Sequence, residues 1–145
     1  MPVVSLSEKV DLPPEVVYAK VADMESYPTF MRTVRSLTVL QREEGRTITR
    51  WEADLKGTTF RWEEEDTFFP EERRIAYRLV KGDLRKFEGE WRVEPEGAGS
   101  RVTLTVDFDF GIPMLAQLLN PIATLLIRQN VEAMLRGLQE SLTGR

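Results

Sequence analysis

The strongest constraint in the sequence is a change of period. From Val34 to Phe110 apolar and polar residues alternate almost throughout. After Gly111-Ile112-Pro113 the apolar residues recur every three and four positions, as far as about Leu142. The first pattern belongs to strands with one buried face, the second to an amphipathic helix. Strands are expected near residues 34–42, 46–55, 58–68, 74–79, 87–94 and 101–110. The turn-forming clusters Glu43-Glu44-Gly45, Lys56-Gly57, Pro70-Glu71-Glu72, Lys81-Gly82-Asp83 and residues 95–100 separate them. Such short connections join antiparallel neighbours. Upstream, Val4, Leu6, Val10 and Leu12 alternate with Ser5, Ser7, Lys9 and Asp11 as a first strand, with Glu8 falling on the apolar side. Pro13-Pro14 then open a short helix carrying Val17 and Val21. Asp23-Met24-Glu25-Ser26 break it, and Ser26 is predicted to cap a second short helix through Met31.

Charge tests the register. If Lys56-Gly57 is a two-residue turn, Trp51 lies opposite Trp62 and Ala53 opposite Phe60 on one face. Glu52 then meets Arg61, and Arg50 meets Glu63, on the other. Each cross-strand pair is worth roughly 0.2–1 kcal/mol, and a one-residue slip would mix the two faces. The aromatic face is therefore read as interior. It continues through Ile75, Tyr77 and Leu79, then Phe87, Gly89, Trp91 and Val93, then Val102, Leu104, Val106 and Phe108.

In the terminal helix Ile127, Val131, Met134, Leu135, Leu138 and Leu142 share one face, and Arg128, Glu132, Arg136 and Glu140 the other. Asn120-Pro121 is a candidate kink or break. Leu118, Ile122 and Leu125 are out of phase and project to the side that is charged further on. The stretch from Ile112 to Leu126 is thus expected to line or gate a cavity, to form a dimer or peripheral membrane contact, or to be covered by a loop and the short helices. One long helix cannot bury its stripe alone. The predicted fold class is α+β, a single domain over residues 1–145. It is a curved antiparallel sheet of six to seven strands around one long C-terminal helix, with two short helices after the first strand. A sheet curled around one helix leaves a gap between the layers, a natural ligand cavity.

The residue inventory narrows the chemistry. With no Cys and no His, the chain lacks a thiol nucleophile, Ser-His-Asp catalysis and the usual zinc ligands. No Gly-rich phosphate cradle or metal-spaced cluster is present, so no cofactor is expected. Lys+Arg 20 against Asp+Glu 24 gives a net charge of −4 with no basic block, so no nucleic-acid partner is expected. The amino terminus shows no signal-peptide pattern, and the expected location is cytoplasmic. Arg outnumbers Lys, while Asn and Gln are scarce, a composition resembling that of thermophiles.

Two stretches carry a family resemblance. One is Asp23-Met24-Glu25-Ser26-Tyr27-Pro28-Thr29-Phe30-Met31 with the following Val34 and Ser36-Leu37-Thr38-Val39-Leu40, preceded by Leu12-Pro13-Pro14-Glu15-Val16-Val17-Tyr18. The other is Phe87-Glu88-Gly89-Glu90-Trp91. Together with the closing helix they resemble the START-like helix-grip proteins, most closely the polyketide cyclase/dehydrase and coenzyme Q-binding branch. The resemblance implies a helix-grip fold with a pocket for lipids, quinones, sterols or polyketides. It also places Tyr27, Pro28 and Phe30 near the cavity end, although a packed turn anchoring the short helices explains them as well.

The candidate ligand-binding residues are Trp51, Phe60, Trp62, Glu64, Tyr77, Phe87, Trp91, Phe108, Ile127, Val131 and Met134. The rings would offer flat apolar surface with indole N–H and phenol O–H handles. Glu64 and Asp66 follow Trp62 on the inward face. Turned inward, a carboxyl there would bind a ligand hydroxyl or act as acid or base. A strand end or bulge that turns both to water is the simpler expectation. The pairs Arg73-Arg74 and Arg32/Arg35 are expected to be solvated or paired with Glu rather than to hold an anion. The leading functional expectation is a non-catalytic carrier of a hydrophobic small molecule. Its rivals are a polyketide cyclase or dehydratase working through Glu, Asp, Tyr or Arg, and a ribosome-associated interaction module. A buried carboxylate or Tyr facing an otherwise apolar cavity would favour the enzyme. A cavity too small for any ligand, with a basic surface patch, would favour the interaction module.

Overall fold

The alternating segments pair into one seven-stranded antiparallel sheet. The computed structural model describes residues 3–55, 57–109 and 113–144, without the side chains of residues 55, 113–123 and 126. In chain order these form β1 (Val3–Val10), α1 (Pro14–Ala22), a 3₁₀ segment (Met24–Thr29), β2 (Val34–Glu43), β3 (Arg46–Leu55), β4 (Thr58–Phe69), a 3₁₀ turn (Pro70–Glu72), β5 (Arg74–Gly82), β6 (Lys86–Glu96), β7 (Gly99–Asp109) and α2 (Pro113–Thr143). The sheet order is β1-β7-β6-β5-β4-β3-β2, a meander whose last strand receives the first.

The expected β3–β4 register holds. Trp51 faces Trp62, Ala53 faces Phe60, Glu52 faces Arg61 and Arg50 faces Glu63. On the outer face the charges close into ion pairs, Arg61 to Glu52 at 2.8 Å and Arg50 to Glu63 at 3.3 Å. On the inner face Trp51 and Trp62 stack, with centroids 5.4 Å apart and planes 13° from parallel. The apolar stripe of α2 packs on this layer: Ile127, Val131, Met134, Leu135 and Leu138 are buried, and Arg128, Glu132, Arg136 and Glu140 are exposed. At Gly137 the helix meets the chain after the 3₁₀ segment so closely that a Cβ would stand 2.4 Å from the Phe30 carbonyl oxygen.

The second short helix departs from expectation. It begins at Met24, directly after Asp23, and Ser26 lies inside it. The Ser26 hydroxyl donates back to the Asp23 carbonyl at 2.7 Å, so it closes a turn instead of capping one. The neighbouring Tyr27 is fully buried. Its hydroxyl donates to the Val21 carbonyl at 2.5 Å, and its ring meets Trp51 and Trp91 edge-on at 5.7 and 5.9 Å. One side chain thereby ties α1 to the aromatic wall. The backbone of α2 runs as one helix through Asn120-Pro121, with no break. The side chains of Leu118 and Ile122, and with them most of the out-of-phase stretch, lie outside the described residues, as do Phe110 and Lys56. Of that stretch Leu125 is described, and it is exposed. Among the described residues no helix is long and apolar enough to cross a membrane.

Candidate functional site

The two layers leave a cavity of about 30 Å³ between them. Its sheet wall consists of Val34, Trp51, Ala53, Trp62, Glu64, Tyr77, Phe87, Trp91, Leu104 and Val106. Its helix wall consists of Ile127, Asn130, Val131 and Met134. Most of the expected wall residues are therefore brought together, but Phe60 and Phe108 are not among them. Phe108 is fully buried on β7, opposite Phe87, and Phe60 is half-buried near the start of β4. Alternation specifies the face of a sheet on which a side chain lies, not its level along the strand.

The expectation that Glu64 and Asp66 turn to water is wrong: Glu64 is 2% exposed and Asp66 0%. A bulge does occur here, but the neighbouring strand carries it. Glu63 pairs with Lys81 and Glu64 with Leu79, so Val80 of β5 is the extra residue, and Val80 is the one pushed out to solvent. β4 stays in regular register with β3 and keeps its alternation. Both carboxyls remain on the inner face.

Once inside, both acids are held by hydrogen bonds. The Trp62 Nε1–H donates to Glu64 Oε1 at 2.8 Å. The Thr49 and Thr47 hydroxyls donate to Asp66 Oδ2 at 2.7 and 3.1 Å, and the Trp51 Nε1–H donates to the Thr49 hydroxyl at 2.8 Å. Asp66 Oδ1 has no partner. Burial pushes Glu64 well above the usual carboxylate range, the Asp66 charge adds to this, and the Trp62 bond opposes it. Burial raises Asp66 as well, against its hydrogen bonds. Burial, the Asp66 charge and a hydrogen bond between the two carboxyls all favour the protonated form of Glu64. Thr47 and Thr49 were missed in the sequence. The signal was there, since both lie on the inward parity of β3 with Trp51.

Three of the aromatic handles expected for a ligand are already used within the protein. Those of Trp51 and Trp62 go to Thr49 and Glu64, and the Tyr77 hydroxyl donates to the Thr105 carbonyl at 2.7 Å. Tyr77 reaches that carbonyl by crossing Gly89, its cross-strand partner. A Cβ at Gly89 would lie 1.9 Å from the Thr105 oxygen and 2.9 Å from the Tyr77 hydroxyl. On the helix wall, Asn130 Oδ1 is buried without a partner, while its Nδ2 contacts Met134 Sδ at 3.7 Å. Asn130 follows Ile127 by three and precedes Met134 by four, so helical spacing marks it as inward-facing.

The remaining candidates do not converge here. Glu8 is half-buried on the edge strand β1. Arg35 pairs with Asp54 at 3.8 Å. Arg74 lies between Glu72 and Glu90 and stacks over the Phe69 ring at 4.1 Å. The Arg73 Nε donates to the Val93 carbonyl at 3.3 Å, and Arg32 is exposed. Among the described residues no cluster of acidic side chains could hold a metal ion.

Known proteins match both sequence and shape. Residues 10–135 match the family described as polyketide cyclase / dehydrase and lipid transport. The chain is 28% identical over 102 residues to the actinorhodin polyketide synthase bifunctional cyclase/dehydratase of Streptomyces coelicolor. That match takes in 69% of this chain and 32% of the relative, about a third of its length. Among solved structures, TTHA0849 from Thermus thermophilus superposes with a TM-score of 0.91 at 37% identity, covering 96% of this chain and 95% of that one. The Zhui aromatase/cyclase from Streptomyces sp. R1128 gives 0.87 at 20% identity, covering 97% and 92%. A START superfamily protein from Mycobacterium smegmatis gives 0.84 at 23%, covering 97% and 99%. The last two likenesses are likenesses of fold.

Proposed function

Because this chain belongs to the polyketide cyclase / dehydrase and lipid transport family, we propose that it binds a hydrophobic small molecule, of lipid, quinone or polyketide type, between the sheet and α2. One observation carries this reading: a wall of stacked rings and aliphatic side chains surrounds a single buried carboxyl, Glu64. Apolar contact at about 25 cal/mol per Å² would drive association, and the acid would orient the guest. As it stands the void holds about one or two waters. A guest enters when the helix wall yields, and Met134, unbranched and adaptable, is the side chain best suited to swing aside.

A second reading is a cyclase or dehydratase, and the same carboxyl favours it. A buried carboxyl that holds its proton more tightly than usual, with a second carboxyl beside it, is equipped to protonate a ketone oxygen or a leaving hydroxyl. The interaction-module reading draws no support from the outer sheet face, where Arg46, Arg50, Arg61 and Arg78 are each paired with Glu.

Native mass spectrometry of the purified protein, with organic extraction of any adduct, tests the binding reading. An extractable hydrophobic adduct supports it. A bare mass that stays bare with polycyclic ketones and quinones in excess refutes it. Turnover of a poly-β-ketone substrate that Glu64→Gln abolishes without loss of binding would establish the enzyme reading.

A further inference from the structure

We propose that the cavity is built for a cationic head group: its guest is a hydrophobic amine whose ammonium end lies between Glu64 and the ring wall. The proposal rests on the binding reading above for the apolar body of the guest. It goes beyond that reading in the charge of the guest's polar end.

A missing counter-charge carries it. On the outer face of β4 each acid has cations: Glu63 pairs with Arg50 and Lys81, and Glu65 with Arg46 and Arg78. On the inner face of the same strand Glu64 and Asp66 are hydrogen-bonded to one another, and among the described residues neither meets a Lys or Arg. No Lys or Arg lies among the described lining residues of the cavity. The segment leading into the helix wall supplies none either, because from Phe110 to Ile127 the sequence contains no charged residue. Two carboxyls removed from water are costly unless a proton or a cation compensates them. An ammonium is such a cation. Beside the pair it favours the ionised form, and the displaced proton leaves to solvent.

The rest of the wall suits the same guest. Trp51 stacks on Trp62, Trp62 meets Phe87 at 4.9 Å, and Phe87 meets Tyr77 at 5.5 Å, so four rings form a continuous arc on the sheet side. Rings, indoles above all, attract a desolvated ammonium. On the helix side Asn130 Oδ1 is buried without a partner. That oxygen is an acceptor, and an ammonium carries three N–H donors and no acceptor. A carboxylate guest would bring only further acceptors and a further negative charge. Size agrees as well. A void of about 30 Å³, room for about one or two waters, is about what an aminomethyl end fills. The apolar body takes the space that Met134 vacates.

The test uses the whole chain and three probes of one shape: 2-phenylethylamine, its uncharged isostere propylbenzene, and 3-phenylpropanoate. Trp51, Trp62 and Trp91 all line the cavity, so tryptophan fluorescence reports occupancy. At pH 7 the amine should bind about ten-fold more tightly than propylbenzene, and phenylpropanoate should bind most weakly. Excess propylbenzene should displace the amine, which places both in one cavity without recourse to a variant. Glu64→Gln should remove most of the amine's advantage over propylbenzene. Propylbenzene or phenylpropanoate binding as tightly as the amine overturns the cation proposal and leaves the pocket reading standing. So does an amine that propylbenzene cannot displace, or an advantage that Glu64→Gln leaves intact. If none of the three probes binds, the binding reading falls and the proposal falls with it. Ranking and competition on the unaltered protein decide the matter even where the variant does not fold.

Discussion

The Trp62 indole Nε1–H donates at 2.8 Å to Oε1 of Glu64, two residues further along the same strand. A ring of the apolar wall and the acid set in that wall are therefore one unit. Trp51, stacked on Trp62, repeats the device through Thr49 to Asp66. The two indoles thus shape the pocket and hold, directly or through Thr49, the two buried carboxyls among the described residues.

This unit makes stability depend on pH in a defined direction. Glu64 is raised by burial and then by the Asp66 charge. A group with a raised folded pKa binds its proton more tightly when folded. Its stabilising contribution is complete below the unfolded value, about 4.3 for Glu, and is lost as pH rises through the folded value. Glu64→Gln cannot titrate. Urea unfolding of both proteins from pH 4 to pH 9 should show the unaltered chain losing stability relative to the variant as pH increases. Parallel curves would show that Glu64 is not protonated.

Trp62→Phe removes the one hydrogen bond that lowers the Glu64 value. The carboxyl should then titrate higher still, as read by carbon-13 NMR of the labelled side chain. The lost hydrogen bond and the void left by the smaller ring should together cost about 2 kcal/mol in denaturant unfolding. An unmoved Glu64 titration would disprove the coupling.

Gly89 is required by a backbone oxygen, not by a turn. Since a Cβ there would meet the Thr105 carbonyl at 1.9 Å, Gly89→Ala has to separate β6 from β7 or dislodge Tyr77. A loss of about 3 kcal/mol is expected. Tyr77→Phe, which removes only the bond to Thr105, should cost about 1 kcal/mol. The contrast between the two variants in thermal unfolding checks the crossing geometry.

On the outer face Glu65 bridges Arg46 and Arg78, and their hydrogen bonds, first that of Arg78, hold it below the usual carboxylate range. The sign here is opposite to that of Glu64. The contribution is present above the unfolded value and lost as pH falls through the folded one. Glu65→Gln should therefore weaken the protein at neutral pH and flatten its acid limb. Molar salt should shrink the difference, because the bridge faces water.

The β3–β4 register was readable because it depends on neighbours in sequence: a two-residue turn, rings of matching parity and opposite charges at matching distances. The helix stripe was readable for the same local reason, since Ile127, Val131, Met134 and Leu138 report their own period. Burial of Glu64 and Asp66 was not readable. It turns on whether β4 or β5 absorbs the extra residue, and that follows from how whole strands pack. A polar side chain at an inward position reads as an interruption until the partners that satisfy it, here Thr47 and Thr49 from the adjacent strand, are seen beside it. The size of the void belongs with these: periodicity names the walls, but the space between them depends on how close a sheet and a helix far apart in the chain are drawn when their side chains interdigitate.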